Sequence, residues 1–150
     1  MAAPTSSASV LPEEELLSSI ARGGRLYDNW YKEIKAQVLT REVKVQVPTR
    51  PHPAYPADKM YANEPKHNWR CKECHGWDYL SRDGAYAKGP HFTGIKGIRG
   101  MADADPEKII AVLNDDTHRY DELMGVRDFL DLANFVSHGQ VDVDKYIDRT

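Results

Sequence analysis

The chain has 150 residues, 41 % of them apolar and 29 % charged, with a formal net charge of −3. That length suits one domain core, not two, and the charge balance lacks the basic surplus that nucleic acid demands. No apolar run approaches the roughly 20 residues needed to cross a bilayer.

Met1–Pro12 is small, polar and poor in hydrophobic residues, and reads as a disordered tail. Glu13-Glu14-Glu15 then opens a helix where the macrodipole favours negative charge. Leu16, Leu17 and Ile20 follow at helical spacing, and Gly23-Gly24 breaks or bends the run. Arg25 to Val38 continues with Leu26, Trp30, Ile34 and Val38 on one stripe, giving a helix or a pair of helices. Arg41 to Val47 alternates, with Val43, Val45 and Val47 on one side, as a short half-buried strand does. Pro48, Pro51, Pro53 and Pro56 impose an extended connector, so that 48–68 wraps over something and builds no core of its own.

A loop rich in glycine and aromatics runs from Gly76 to Gly100. Asp105-Pro106 is a helix opening, an N-cap followed by proline at the first helical position, with Ile109, Ile110, Val112 and Leu113 as its apolar content. The last helix spans about Gly125 to Ser137, with Phe129, Leu132, Ala133 and Val136 on one face and Gly139 at the C-terminal cap. The expected fold is mostly α with long irregular loops, residues 13–150 forming a single domain.

Two cysteines, Cys71 and Cys74, are too few for a disulfide framework. With the residue after them they form Cys71-Lys72-Glu73-Cys74-His75. On one helical turn both sulfurs project to the same side, matching the two vinyl groups on one edge of haem. Thioether bonds then fix the porphyrin, and His75 is left as the proximal iron ligand. The same CxxC spacing serves zinc knuckles and thioredoxin-like redox pairs. Zinc wants a second ligand pair, and no other histidines are closely paired. A redox pair wants a buried strand ahead of the first cysteine, where this chain has Pro65-Lys66-His67-Asn68-Trp69-Arg70. The motif favours haem over both.

The flanks add a likeness. Gly24, Tyr27 and Trp30 lie in the first helix; Gly76 follows the motif; Gly89-Pro90-His91-Phe92-Thr93-Gly94-Ile95 comes next; and Asp131-Leu132-Ala133-Asn134-Phe135-Val136 closes the pattern. Over roughly 23–38 and 69–137 the chain resembles class I cytochromes c. The resemblance implies a cytochrome c-like helical fold around one covalently attached haem c, with Gly24, Tyr27 and Trp30 at the crossing of the first helix on the last. It also implies that the Pro90 carbonyl accepts the Nδ1 hydrogen of His75. One departure is large: a proline-rich insertion over 39–68 separates the first helix from the motif. This looks like the periplasmic low-potential monohaem subclass with an enlarged N-terminal lobe, found in metal- and electrode-respiring bacteria, in which the insertion would cover one haem edge.

Candidates for the opposite side of the iron are Met60, Met101, Met124, His52, His67, His91, His118 and His138. In the family resembled, that ligand sits on a loop about fourteen residues before the Leu-Ala centre of the last helix, which here is His118. Met124 is the fallback; its ordinary role would be core packing. His91 belongs to the Gly-Pro loop, where it packs or hydrogen-bonds, and His52 and His67 default to the surface. Two imidazoles lower the potential relative to a methionine partner and leave no open position. The implied function is a six-coordinate, low-potential electron carrier, with no catalytic residues, that meets redox donors and acceptors transiently as a monomer.

A haem-bearing oxidoreductase subunit or peroxidase-like enzyme is the alternative, and a zinc-bound structural module a third reading. Trp69, Trp77, Tyr79, Tyr86 and Phe92 are expected to pack against the porphyrin, the alternative being a Trp or Tyr that hydrogen-bonds a propionate, with Arg70, Lys72 and Arg82 as a solvated rim. The other acidic side chains read as solvated surface. Met1 to Val10 shows no export signal, yet haem attachment implies a periplasmic location and therefore a signal outside this numbering.

Overall fold

The computed structural model describes residues 12–37 and 47–140. The tail expected over Met1–Pro12 and the strand expected over Arg41–Val47 lie outside the described residues, save Pro12 and Val47. Among the described residues the fold is mostly α: α1 (Glu13–Gln37), α2 (Pro65–Asn68), α3 (Cys71–His75), a 3₁₀ turn (Arg99–Met101), α4 (Pro106–Leu113) and α5 (Val126–His138). β-structure there is limited to one isolated antiparallel bridge between Ser81 and Lys96. The described residues divide into two compact units, 12–37 with 101–139 and 47–100 with Gln140.

In the first unit α5 packs against both α1 and α4. Three glutamates occupy the first turn of α1, as the macrodipole favours. The helix runs unbroken through Gly23-Gly24 and breaks instead at Asn29, whose φ of −157° and ψ of 92° are extended. The side chain of Asn29 accepts a hydrogen bond from the Lys32 amide at 3.2 Å, so the break is an N-cap that starts the following turns. The glycines serve a different purpose. A Cβ at Gly23 would collide with the Asp131 carbonyl oxygen and with Cβ of Phe135, and one at Gly24 would press on the Phe135 ring at 3.3 Å. Bare backbone lets α1 approach α5 closely there, and Tyr27 lies against Phe135 with ring centroids 5.5 Å apart. Leu26, Trp30, Leu132 and Ala133 are almost wholly buried.

The crossing also buries polar groups. Ser19 Oγ donates to Asp131 Oδ1 at 2.5 Å and accepts from Asn134 Nδ2 at 2.9 Å. Arg22 reaches Asp131 at 2.9 Å and Asp128 at 2.6 Å, and Arg127 adds a contact to Asp131 at 3.1 Å. The caps of the other two helices match the sequence pattern: Asp105 accepts the Glu107 amide at 3.0 Å, and Gly139 closes α5 by donating to the Phe135 carbonyl at 2.7 Å.

In the second unit the proline-rich segment wraps around Asn68 and Trp69, both almost fully buried. Trp69 Nε1 donates to the Arg50 carbonyl at 2.8 Å. Asn68 accepts the His52 amide at 3.0 Å and donates to the Tyr61 carbonyl at 2.9 Å. His52, expected at the surface, is buried; its Nδ1 accepts the Ala54 amide at 3.0 Å and its ring lies 4.2 Å from that of Trp69. The segment pairs part of its backbone in turns, such as the Tyr55 amide on the His52 carbonyl, and side-chain amides and a ring nitrogen satisfy further groups.

Gly23→Ala is expected to lower stability by about 1–3 kcal/mol through overpacking. Asp131→Ala is expected to cost about 3 kcal/mol, the low end for a broken buried pair, because Asp128 still answers Arg22. Urea unfolding of the two variants measures both.

Candidate functional site

Helix α3 has five residues, and its ends are held from outside. Gly76 terminates it with φ +84°, a left-handed conformation that suits glycine, while its amide donates to the Lys72 carbonyl at 2.8 Å. Ser81 Oγ donates to the Cys74 carbonyl at 2.7 Å. His75 Nδ1 donates to the Lys96 carbonyl at 2.8 Å. The acceptor for this ring is therefore Lys96, six positions beyond the expected Pro90, which is exposed.

Local pairing explains the shift. The Ile98 amide donates to the Tyr79 carbonyl at 2.8 Å and the Arg82 amide to the Ile95 carbonyl at 3.3 Å, flanking the Ser81–Lys96 bridge. Gly97 permits this approach, since a Cβ there would collide with the Tyr79 carbonyl oxygen. The turn before it is organised by Asp78, fully buried, which accepts the Leu80 amide at 3.1 Å and the Ala85 amide at 2.8 Å. Tyr79 and Ser81 both adopt positive φ, 67° and 45°, in a region that costs non-glycine residues free energy.

Glu73, two positions after Cys71, falls on the opposite side of the turn from the cysteines. It is buried, and its Oε1 accepts from His91 Nδ1 at 3.1 Å. His91 stacks on Tyr86 at 4.9 Å, and Tyr61 stacks on His67 at 4.3 Å. His91 thus packs and hydrogen-bonds as its sequence position implied, and His67 is half-buried against a ring. Of the aromatics near the motif, Trp69 and Tyr86 are buried while Trp77 is 46 % exposed.

Cys71 and Cys74 are free thiols. Each residue keeps some exposed surface, but protein atoms crowd the sulfurs, and burial pushes both thiols up to about 12. That is the reverse of the lowered value that makes a redox-active CxxC reactive. Among the described residues no group of three or more His, Cys, Asp or Glu side chains could hold a metal ion, and no helix is long and apolar enough to cross a membrane. Two thiols at i and i+3 followed by a histidine are the donors that a covalently attached haem would need from the chain. With Nδ1 engaged by a carbonyl, Nε2 of His75 is the nitrogen that would face iron.

His118 and Met124 belong to the first unit. Met124 is buried, in keeping with core packing. The backbone amide of His118 donates to Asp115 Oδ1 at 2.8 Å, its ring Nδ1 donates to the same oxygen at 2.9 Å, and the Thr117 amide adds a third bond at 3.0 Å. Desolvation acts upward on the Asp115 carboxyl, but the bonds from the His118 amide and ring, the His118 charge and the Thr117 amide outweigh it and hold the group below its ordinary value. Arg119 follows with φ +59°, turning the chain sharply after His118. Of the remaining candidates, Met60 is 56 % exposed and His138 is exposed at the end of α5.

Residue type alone conceals the importance of Lys96, Ser81 and Glu73, which act through a backbone carbonyl, a cap and a buried carboxylate. Asp115 carries a legible signal: an aspartate three residues before a histidine in a polar turn is spaced to accept that residue's amide. Comparison with protein-family models, curated proteins and solved structures gives no match.

A thiol that titrates near 12 folded and near 9 unfolded stabilises the fold below pH 9, and that contribution is lost as pH rises from 9 through 12. At pH 8 the thiolate fraction drops by about a thousandfold, partly offset by the greater nucleophilicity of a more basic sulfur. In chain isolated with both thiols intact, iodoacetamide is expected to react about 30–100-fold more slowly in buffer than in urea, read by mass spectrometry.

Proposed function

We propose that the chain is a monohaem c-type cytochrome that carries electrons in the periplasm. The observation that supports this most directly is α3, where two free thiols sit one turn apart and the next histidine has its Nδ1 fixed by a backbone carbonyl. Cys71 and Cys74 would hold haem through thioether bonds, His75 would bind the iron through Nε2, and His118 would be the second histidine ligand. Haem supplies one-electron ferric–ferrous chemistry when bound.

The chain's own residues do the rest. Lys96 fixes the tautomer and rotation of His75, and Ser81 and Gly76 close the helix that presents it. Glu73 and His91 lock the far side of the same turn. Two histidine ligands would place the potential low and would disfavour peroxide or oxygen chemistry, hence the reading as an electron carrier rather than a haem enzyme. The proline-rich segment, organised around Trp69 just ahead of Cys71, is the enlarged lobe of the subclass that the sequence resembles. Donors and acceptors are redox proteins met transiently by a monomer.

Produced in a host that attaches haem to exported proteins, the chain is expected to emerge red and to keep its pigment through acid-acetone extraction. The ferric protein should lack a methionine-to-iron charge-transfer band. His118→Ala should retain the pigment and shift the spectrum from low to high spin. A colourless product, or pigment lost on extraction, removes the proposal.

A further inference from the structure

The two imidazoles assigned to iron have different acceptors. Nδ1 of His75 meets a neutral amide carbonyl at 2.8 Å, whereas Nδ1 of His118 meets a carboxylate oxygen at 2.9 Å. The same Asp115 oxygen takes the amides of Thr117 and His118 at 3.0 and 2.8 Å, so one atom fixes both backbone and ring of the histidine. Arg119, at φ +59°, bends the chain immediately afterwards. A ring hydrogen shared with a carboxylate leaves more electron density on Nε2 than one shared with a carbonyl, and a more basic ligand stabilises ferric iron over ferrous.

We propose that Asp115 is a positioning residue that also sets the reduction potential, by giving His118 imidazolate character through the Nδ1 hydrogen bond. This rests on the reading of His118 as an iron ligand. With haem bound, the group would supply one-electron ferric–ferrous chemistry, the electron coming from a redox-protein donor and no covalent bond being made or broken. The Asp115 side chain is 42 % exposed, so water screens part of its charge. Its effect on the ferric–ferrous equilibrium is therefore smaller than the roughly 10–100-fold that substituting a ligand's hydrogen-bond partner costs in metal affinity or activity.

The test uses the haem-loaded full chain and the isosteric variant Asp115→Asn, which keeps an oxygen acceptor but removes the charge, with Asp115→Glu as the charge-retaining control. Asp115→Asn is expected to shift the ferric–ferrous equilibrium about three- to tenfold toward ferrous, a rise of about 28–59 mV at 59 mV per decade for one electron. Low-spin ferric g-values should show a weaker axial field, and the His118 Nδ1 proton should move upfield in the NMR spectrum of the ferrous form. Asp115→Glu should return the potential toward that of the parent. If His118→Ala shows His118 to be the ligand and Asp115→Asn leaves potential and g-values unchanged, the role given to Asp115 is wrong while the ligand assignment stands. If the parent protein shows a methionine-to-iron band, the ligand assignment fails and takes this role with it.

Discussion

A five-residue helix makes too few internal hydrogen bonds to offset the ordering of its backbone. Helix α3 exists because its surroundings hold it: Ser81 takes one terminal carbonyl, Gly76 turns the chain away, and Glu73 is buried against His91. The bond from His75 to Lys96 depends in turn on the pairing of 79–82 with 95–98, which depends on the buried carboxylate of Asp78 shaping the intervening turn. Cys71, Cys74 and His75 owe their arrangement to residues that carry no cofactor chemistry themselves.

Buried carboxylates recur in the structure with three different tasks. Asp131 joins two helices by answering Ser19, Arg22 and Arg127. Asp78 replaces missing backbone partners inside a loop. Glu73 ties a helix to an imidazole in an aromatic setting. Each is matched by hydrogen-bond donors, without which burial of a charge is prohibitive.

How legible this was from sequence varies by region. The termini of α4 and α5 follow from Asp105-Pro106, Gly125 and Gly139, because caps are local chemistry. The crossing of α1 and α5 through glycine and an aromatic was readable, but the break was misplaced. A glycine pair weakens a helix in isolation; here tertiary contact exploits the bareness, while an ordinary-looking Asn29 ends the turn. His52, Glu73 and Asp78 read as surface because burial of polar groups is decided by distant donors that no local pattern reveals. The cysteines and His75 stood out by spacing. The acceptor for His75 did not, since a carbonyl is present at every position and only the bridge at Ser81–Lys96 selects one.

Orienting a ring through main chain has an evolutionary implication. Lys96 has an exposed side chain, so position 96 can drift among residue types while its oxygen stays in place. Insertion or deletion between 82 and 95 is another matter, for a slip of one residue would swap the oxygen that meets His75. Loop length and strand offset are thus constrained there in addition to the few side chains, such as Tyr86 and His91, that the segment buries or bonds.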